Sequence, residues 1–205
     1  SADGDTVLVH PGIYYENVNY NDHTITLCSM NLITGERHYV FETIIDGNLE
    51  DSCIIVENSE GNGTLLCGFT LRNGVGHYGP IGTWCGGGVY TYGQYGISLE
   101  IRNCIIEDNK AKEGAGGIYI AGLSSVYLSG TIIRKNYSSD GAGGIGLTPY
   151  STLEFDQDNL CSIYGNYASR GCMLVRGIDI ENPDTLYIFA DTLSFLEPDR
   201  YFVSQ

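Results

Sequence analysis

Three groups of side chains in this sequence are of types that do chemistry. The first is charged: the carboxylates Asp46, Glu107 and Asp108, with the cations Arg72, Arg134 and Lys135. Clustered carboxylates beside a cation could hold a divalent ion and abstract a proton, and two facing carboxylates could cleave a glycoside. The second group is aromatic: Tyr78, Trp84, Tyr92 and Tyr95, whose ring faces could stack on sugar rings. The third is the four His residues, 10, 23, 38 and 77, and the seven Cys residues, 28, 53, 67, 85, 104, 161 and 172. No Cys-x-x-Cys pair occurs, and no Cys/His spacing matches a zinc site.

Whether the charged group can act depends on the elements that carry it. Residues 86 to 171 repeat. The line starts Gly86, Gly114, Gly141 and Gly171 are separated by 28, 27 and 30 residues, by subtraction. Each line holds three short runs of apolar and β-branched residues, such as Val89-Tyr90, Ile97 to Ile101 and Cys104 to Asn109, divided by Gly, Asn and Ser. No helical period lies between them. Three strands in about 27 residues describe one coil of a parallel β-helix, with coils stacked at the strand spacing of about 4.8 Å.

From Asn109 to Gly114, from Asn136 to Gly141 and from Asn166 to Gly171 is five residues each time. One turn therefore has constant length, and Asn109, Asn136 and Asn166 should form a buried structural ladder of side-chain amides. The same alignment stacks Leu71, Ile106, Ile133 and Ile163 in one column. It stacks Leu99, Val126 and Leu153 in a second, Ile101, Leu128 and Phe155 in a third, and Val89, Ile118 and Ile145 in a fourth. Aliphatic columns are what a narrow solenoid interior needs. Outside, Arg72, Glu107 and Arg134 align, as do Asp108 and Lys135. In register these charges read as a solvated cross-strand ladder and not as a catalytic cluster.

The expected fold is all-β: a single-stranded parallel β-helix of about six coils, three strands per coil. It covers residues 1–175, with inserted loops near 30–42 and 75–85, and residues 176–205 form a C-terminal cap or the start of a following module. Residues 1 to 30 read as a first coil of three strands. The loop at 75–85 exceeds the constant turn by seven residues, and Gly88 to Leu99 exceeds its counterparts by two. The aromatic group sits on these two excesses, and loops on a rigid scaffold are where function concentrates.

The formal net charge of −15 repels phosphate backbones and excludes nucleic acid as a partner. No apolar run is long enough for membrane insertion. No metal or other cofactor is implied. Sixteen Tyr against ten Lys plus Arg suits an extracellular surface. Cys104 and Cys161 share a column two coils apart, too far for a disulfide. Cys28 and Cys67 fall one coil apart, where a bridge would fit. The chain opens inside a strand at Val7 without a preceding signal or cap, which reads as a fragment or a processed chain.

The Gly-Gly-Ile lines, the turn Asn residues and the opening Asp3-Gly4-Asp5-Thr6-Val7-Leu8-Val9-His10-Pro11-Gly12-Ile13-Tyr14-Tyr15-Glu16-Asn17 resemble right-handed parallel β-helix repeat proteins, the pectate-lyase-like superfamily. They look most like the secreted surface proteins of Bacteroidetes-type bacteria. That resemblance implies a right-handed helix and an extracellular or cell-surface location. It also brings polysaccharide lyases and glycoside hydrolases into view, but Asp46, Glu107 and Asp108 do not cluster in register and no coil offers facing carboxylates. Thr6, Thr185 and Thr192 match the O-glycan pattern of such bacteria. Asn62 and Asn136 open N-glycan patterns, with Asn136 withdrawn into the ladder.

Two functions follow. The first is a non-catalytic structural or adhesive β-helix protein, a subunit of a surface layer or fibre, associating head to tail through its open ends. The alternative is a carbohydrate-active protein, a glycan-binding module using Tyr78, Trp84, Tyr92 and Tyr95 or a lyase-like enzyme.

Overall fold

The computed structural model describes residues 1–58, 63–169 and 190–194, with backbone alone at Asn58 and 190–194. It consists mostly of parallel β-strands in stacked sheets, an arrangement compatible with a β-helix-like solenoid. Successive passes of the chain return to the same sheets and land one strand further along, the third sheet being joined only from Lys110 on. One pass shows the pattern: Ile105–Glu107 in the second sheet, Lys110–Ala115 in the third, then Ile118–Ser129 in the first.

The strands differ from their expected grouping in one respect. The first two apolar runs of a line are joined into a single long strand, Val89–Arg102 or Ile118–Ser129, because the pairing continues through the bend between them. The third strand of each pass is the segment after the ladder Asn. Lys110–Ala115, Tyr137–Ala142 and Tyr167–Ala168 pair in parallel, so what reads as a turn of constant length is itself a small sheet. Constant length is the condition for that pairing, since one extra residue would shift the register.

All four expected columns are present. Leu71, Ile106, Ile133 and Ile163 are register partners in sequence, and Ile45 extends the column. Leu99–Val126–Leu153, Ile101–Leu128–Phe155 and Val89–Ile118–Ile145 follow the same rule, with Ile54 beside Val89. These side chains form one continuous buried cluster. Alternation does the sorting: along Ile118–Ser129, Val126 and Leu128 point inward while Tyr127 between them stays partly exposed. Full burial of one such aliphatic side chain stabilises by about 1.5–3 kcal/mol.

The amide ladder is also present. Asn109, Asn136 and Asn166 are buried. Asn109 Nδ2 donates to Asn136 Oδ1 (3.0 Å) and to the Leu71 carbonyl (3.1 Å). Asn136 Nδ2 donates to Asn166 Oδ1 (3.0 Å) and to the Ile106 carbonyl (2.9 Å), and Asn166 Nδ2 to the Ile133 carbonyl (3.0 Å). Each Oδ1 also accepts a backbone N–H, from Gly74, Asn109 and Asn136 respectively. The residue before each step, Asn73, Asp108, Lys135 or Gly165, has a left-handed backbone with φ of 58°, 54°, 56° and 62°. Asp108 and Lys135 are therefore aligned as turn-formers as well as opposite charges.

A second amide chain went unread in the sequence. Asn103 Nδ2 donates to Asn31 Oδ1 (3.2 Å), and Asn159 Nδ2 donates to Asn103 Oδ1 (3.1 Å). It skips alternate passes, where Gly130 leaves the space: a Cβ there would stand 2.4 Å from the Asn103 and Asn159 side chains. No residue spacing common to every pass announces this chain.

Three expectations need correction. Residues 1 to 30 are not one coil: Thr6–Val9 pairs with Thr26–Ser29, so the latter already opens the second pass. The insertion near 30–42 is not an irregular loop but carries two short helices, Asn31–Thr34 and His38–Glu42, the first closed by Gly35 at φ 72°. Cys28 and Cys67 are register partners yet free thiols, as are Cys53, Cys85, Cys104 and Cys161. Within the stretch 176–205, which reads as a cap or a following module, the strand Ala190–Ser194 pairs in parallel with Cys161–Tyr164 of the second sheet. No helix among the described residues is long and apolar enough to cross a membrane.

Candidate functional site

The charged group expected to be structural is placed as a ladder. Tyr15, Asp46 and Arg72 are successive register partners, and Glu107, Arg134 and Tyr164 likewise. Asp46 Oδ2 accepts from Arg72 Nε at 3.0 Å and from Asn73 Nδ2 at 2.9 Å. Glu107 accepts from Arg134 Nε at 2.7 Å, and Arg134 Nη1 donates to the Tyr164 hydroxyl at 3.0 Å. Each cation is occupied by its neighbour, so this column offers no cation beside an open carboxylate. The buried thiols are equally quiet. Burial pushes Cys53, Cys85 and Cys104 up to about 12 and Cys67 and Cys161 up to about 11, which keeps them protonated and poor nucleophiles.

The 75–85 insertion is a β-hairpin. His77–Tyr78 runs antiparallel to Trp84–Cys85, with Tyr78 opposite Trp84 and His77 opposite Cys85. Strand alternation therefore sends one pair out and one pair in. Tyr78 and Trp84 lie outward, 56% and 39% exposed, with ring centroids 5.5 Å apart and planes tilted by 53°. Cys85 lies inward in a second apolar cluster with Ile55 and Tyr90, against which Tyr92 and Tyr119 pack. The other excess falls between Gly93 and Ile97, where the register of Val89–Arg102 slips against its neighbour. Tyr95 stands on that bulge, 76% exposed.

The four expected aromatic residues are thus not one strip. Tyr78 and Trp84 form a pair on the hairpin, Tyr95 projects separately, and Tyr92 is drawn half-buried onto the inner cluster. Its withdrawal has a plain cause: Tyr92 lies in the regular part of the strand, before the slip, beside Tyr90.

Under the hairpin, His77 is gripped by the pass below. Its Nδ1 is 2.9 Å and 3.1 Å from the two Asp51 carboxylate oxygens, and its Nε2 is 3.7 Å from Glu57. The imidazole lies tilted over Tyr90, 5.0 Å between centroids. The hydrogen bond to Asp51 raises its pKa above the ordinary 6.5; partial burial opposes this, and the charges of Asp51 and Glu57 add to it.

Beside the hairpin lies a cleft of about 340 Å³ lined by Thr83, Cys85, Glu113, Tyr119, Asp140 and Thr148, among others. Glu113 and Asp140 are register partners on adjacent strands. This juxtaposition of two carboxylates was missed in the sequence, although the alignment that pairs Gly114 with Gly141 also pairs them. Among the described residues, no group of three or more His, Cys, Asp or Glu is placed to hold a metal ion.

Of the modification residues, Thr6 is exposed on the terminal strand of the first sheet. Asn62 and Thr185 lie outside the described residues, and of Thr192 only the backbone is described. Compared with protein-family models, with curated proteins and with solved structures, the chain matches none of them.

Proposed function

We propose that this chain is a non-catalytic extracellular scaffold, a right-handed parallel β-helix of about six coils that presents a glycan-binding surface. One observation carries the reading: where the repeat gains residues, the gain exposes aromatic rings, Tyr78 and Trp84 on the hairpin and Tyr95 on the bulge. The paired exposed rings of Tyr78 and Trp84 offer a stacking face, and a sugar presents both an apolar ring face and hydroxyls. The adjoining cleft has Thr83, Thr148, Glu113 and Asp140 to receive hydroxyls. The net charge of −15 favours a neutral polysaccharide over a polyuronide. A surface layer or fibre subunit, assembled head to tail through the terminal strands, is the setting proposed for it. Among the described side chains that match the pattern, Thr6 is exposed and is proposed as a site of O-glycosylation.

The test is a glycan microarray with the wild-type chain and Trp84→Ala. Binding to a neutral polysaccharide, weakened about tenfold or more in the variant, supports the reading. Absence of binding by the wild type, or equal binding by both, removes it.

A second reading, a retaining glycoside hydrolase, draws on Glu113 and Asp140, whose strands lie about 4.8 Å apart. Such enzymes need carboxyl groups about 5–5.5 Å apart, one of them holding its proton through burial or a neighbour. Asp140 is exposed and Glu113 only half-buried, which favours the binding reading. Release of reducing sugar that is lost in Glu113→Gln would reverse that preference.

A further inference from the structure

On the hairpin that carries Tyr78 and Trp84, His77 faces two carboxylates of the solenoid. Asp51 belongs to the turn before Ile54–Asn58, and Glu57 to that strand itself. Asp51 is tied to the hairpin root a second time, since its carbonyl accepts the Val75 N–H at 3.0 Å. Asp51 as a carboxylate only accepts, so the proton on His77 Nδ1 is fixed there by the 2.9 Å bond. The proton that comes and goes is therefore the one on Nε2, the nitrogen that faces Glu57 at 3.7 Å. With it, an imidazolium lies between two anions. Without it, a nitrogen lone pair faces a carboxylate, and attraction turns to repulsion.

We propose that the His77 imidazolium is a clamp that holds the hairpin in its binding geometry, so that the aromatic surface is ordered while Nε2 carries its proton and loosened once that proton is lost. This rests on the glycan-binding reading for its functional meaning, and extends it to regulation of that site. The groups that face His77 from each packed element are Asp51 and Glu57 from the pass below, Tyr90 from Val89–Arg102, and Cys85 from the opposite hairpin strand. Tyr90 and Cys85 do not interfere in this range: burial pushes the Cys85 thiol up to about 12 and the Tyr90 hydroxyl higher still. The Tyr90 hydroxyl is buried under the hairpin with no hydrogen-bond partner among the described residues, so it does not bind the hairpin in place of His77.

The sign follows from the raised folded pKa. Below about 6.5, the ordinary value, His77 is charged folded or unfolded and the clamp contributes fully. As pH rises through the elevated folded value, the contribution is lost.

The chain has a single Trp, and it sits on this hairpin, so its fluorescence reports the clamp without any ligand. Acrylamide quenching of Trp84 is measured from about pH 5 to about pH 9 on the full chain. The clamp predicts lower quenching at the acid end, where Trp84 is held against Tyr78, and a one-proton rise with its midpoint above 6.5. His77→Gln gives high quenching throughout, and Asp51→Asn moves the midpoint down, with circular dichroism confirming that both variants stay folded. Flat wild-type quenching overturns the proposal, and so does a transition that persists in His77→Gln. The glycan array read at both ends of the range separates the two claims. A quenching transition without glycan binding leaves the clamp standing and removes the binding reading. Binding at both ends with flat quenching does the reverse.

Discussion

The stack from Ile105 to Asn166 and the segment from Gly74 to Ile97 use the same repeat in opposite ways. In the stack, the segment after the ladder has constant length. The ladder amides then find their counterparts on the next pass, Asn109 on Asn136 and Asn136 on Asn166, and the charges outside pair as Glu107 with Arg134. In the other segment the ladder stops. Gly74 takes the Asn place because nothing larger fits: a Cβ there would stand 1.9 Å from the Gly87 carbonyl oxygen. The backbone closes in, the chain detours through a hairpin, and the aromatics on the detour have no equivalent pass on which to stack. Regular repetition consumes polar groups in structure, whereas a local gain of residues leaves side chains over for other work. Tyr137 and Tyr167 make the contrast within one residue type. In register, their rings stack at 5.7 Å with planes 14° apart, while Tyr95 on the bulge stands open.

The contrast can be broken first at its strongest point. Asn136→Ala removes the acceptor of the Asn109 backbone N–H and one of the two acceptors of Asn109 Nδ2, takes the side-chain donor from the Ile106 carbonyl, and leaves Asn166 Oδ1 with the backbone N–H alone, all in the interior. At about 1–3 kcal/mol for each buried group left unpaired, with some relief from water, the loss should be about 4 kcal/mol by urea unfolding. A loss below about 1 kcal/mol would show that the ladder follows the fold and does not hold it. Gly74→Ala tests the other side. Overlap with backbone that cannot swing away should cost about 3 kcal/mol, and a neutral result would mean the hairpin detour is not forced by crowding there.

Smaller effects sharpen the picture. Glu107→Gln removes the charge opposite Arg134 but keeps the shape. With both side chains partly open to solvent, it should cost about 1 kcal/mol or less, and less still at high salt. A larger loss would mean that the outward column is more than solvated decoration. Trp84→Ala should be the smallest in stability, about 0.5 kcal/mol or less, because the ring is on the surface and its only partner is Tyr78 among the ring pairs of the described residues. Its effect is expected in glycan affinity instead. A large drop in melting temperature would recast the Tyr78–Trp84 pair as hairpin packing.

What the sequence determined by itself is the part that repeats. Period, column and ladder all follow from spacing, because a parallel in-register stack converts equal residue intervals into contact. Asn109, Asn136 and Asn166 could be named from a five-residue interval, and Leu71, Ile106, Ile133 and Ile163 from their place in the line. The same rule contained the Glu113–Asp140 pair, which only needed to be read. What tertiary structure alone decided lies where intervals are unequal. The insertion at 75–85 was visible as excess length, but not its hairpin pairing, which sends Tyr78 and Trp84 out and His77 and Cys85 in. Nor was the grip of Asp51 and Glu57 on His77, which joins residues 26 and 20 positions apart through no repeated spacing. Tyr92 shows the limit most plainly. Next to an insertion it read as part of an exposed strip, and it is half-buried because the slip in register begins only after Gly93. Register is a collective property of the sheet, set by the sum of its pairings, and a single line of sequence fixes it only where the next line has the same length.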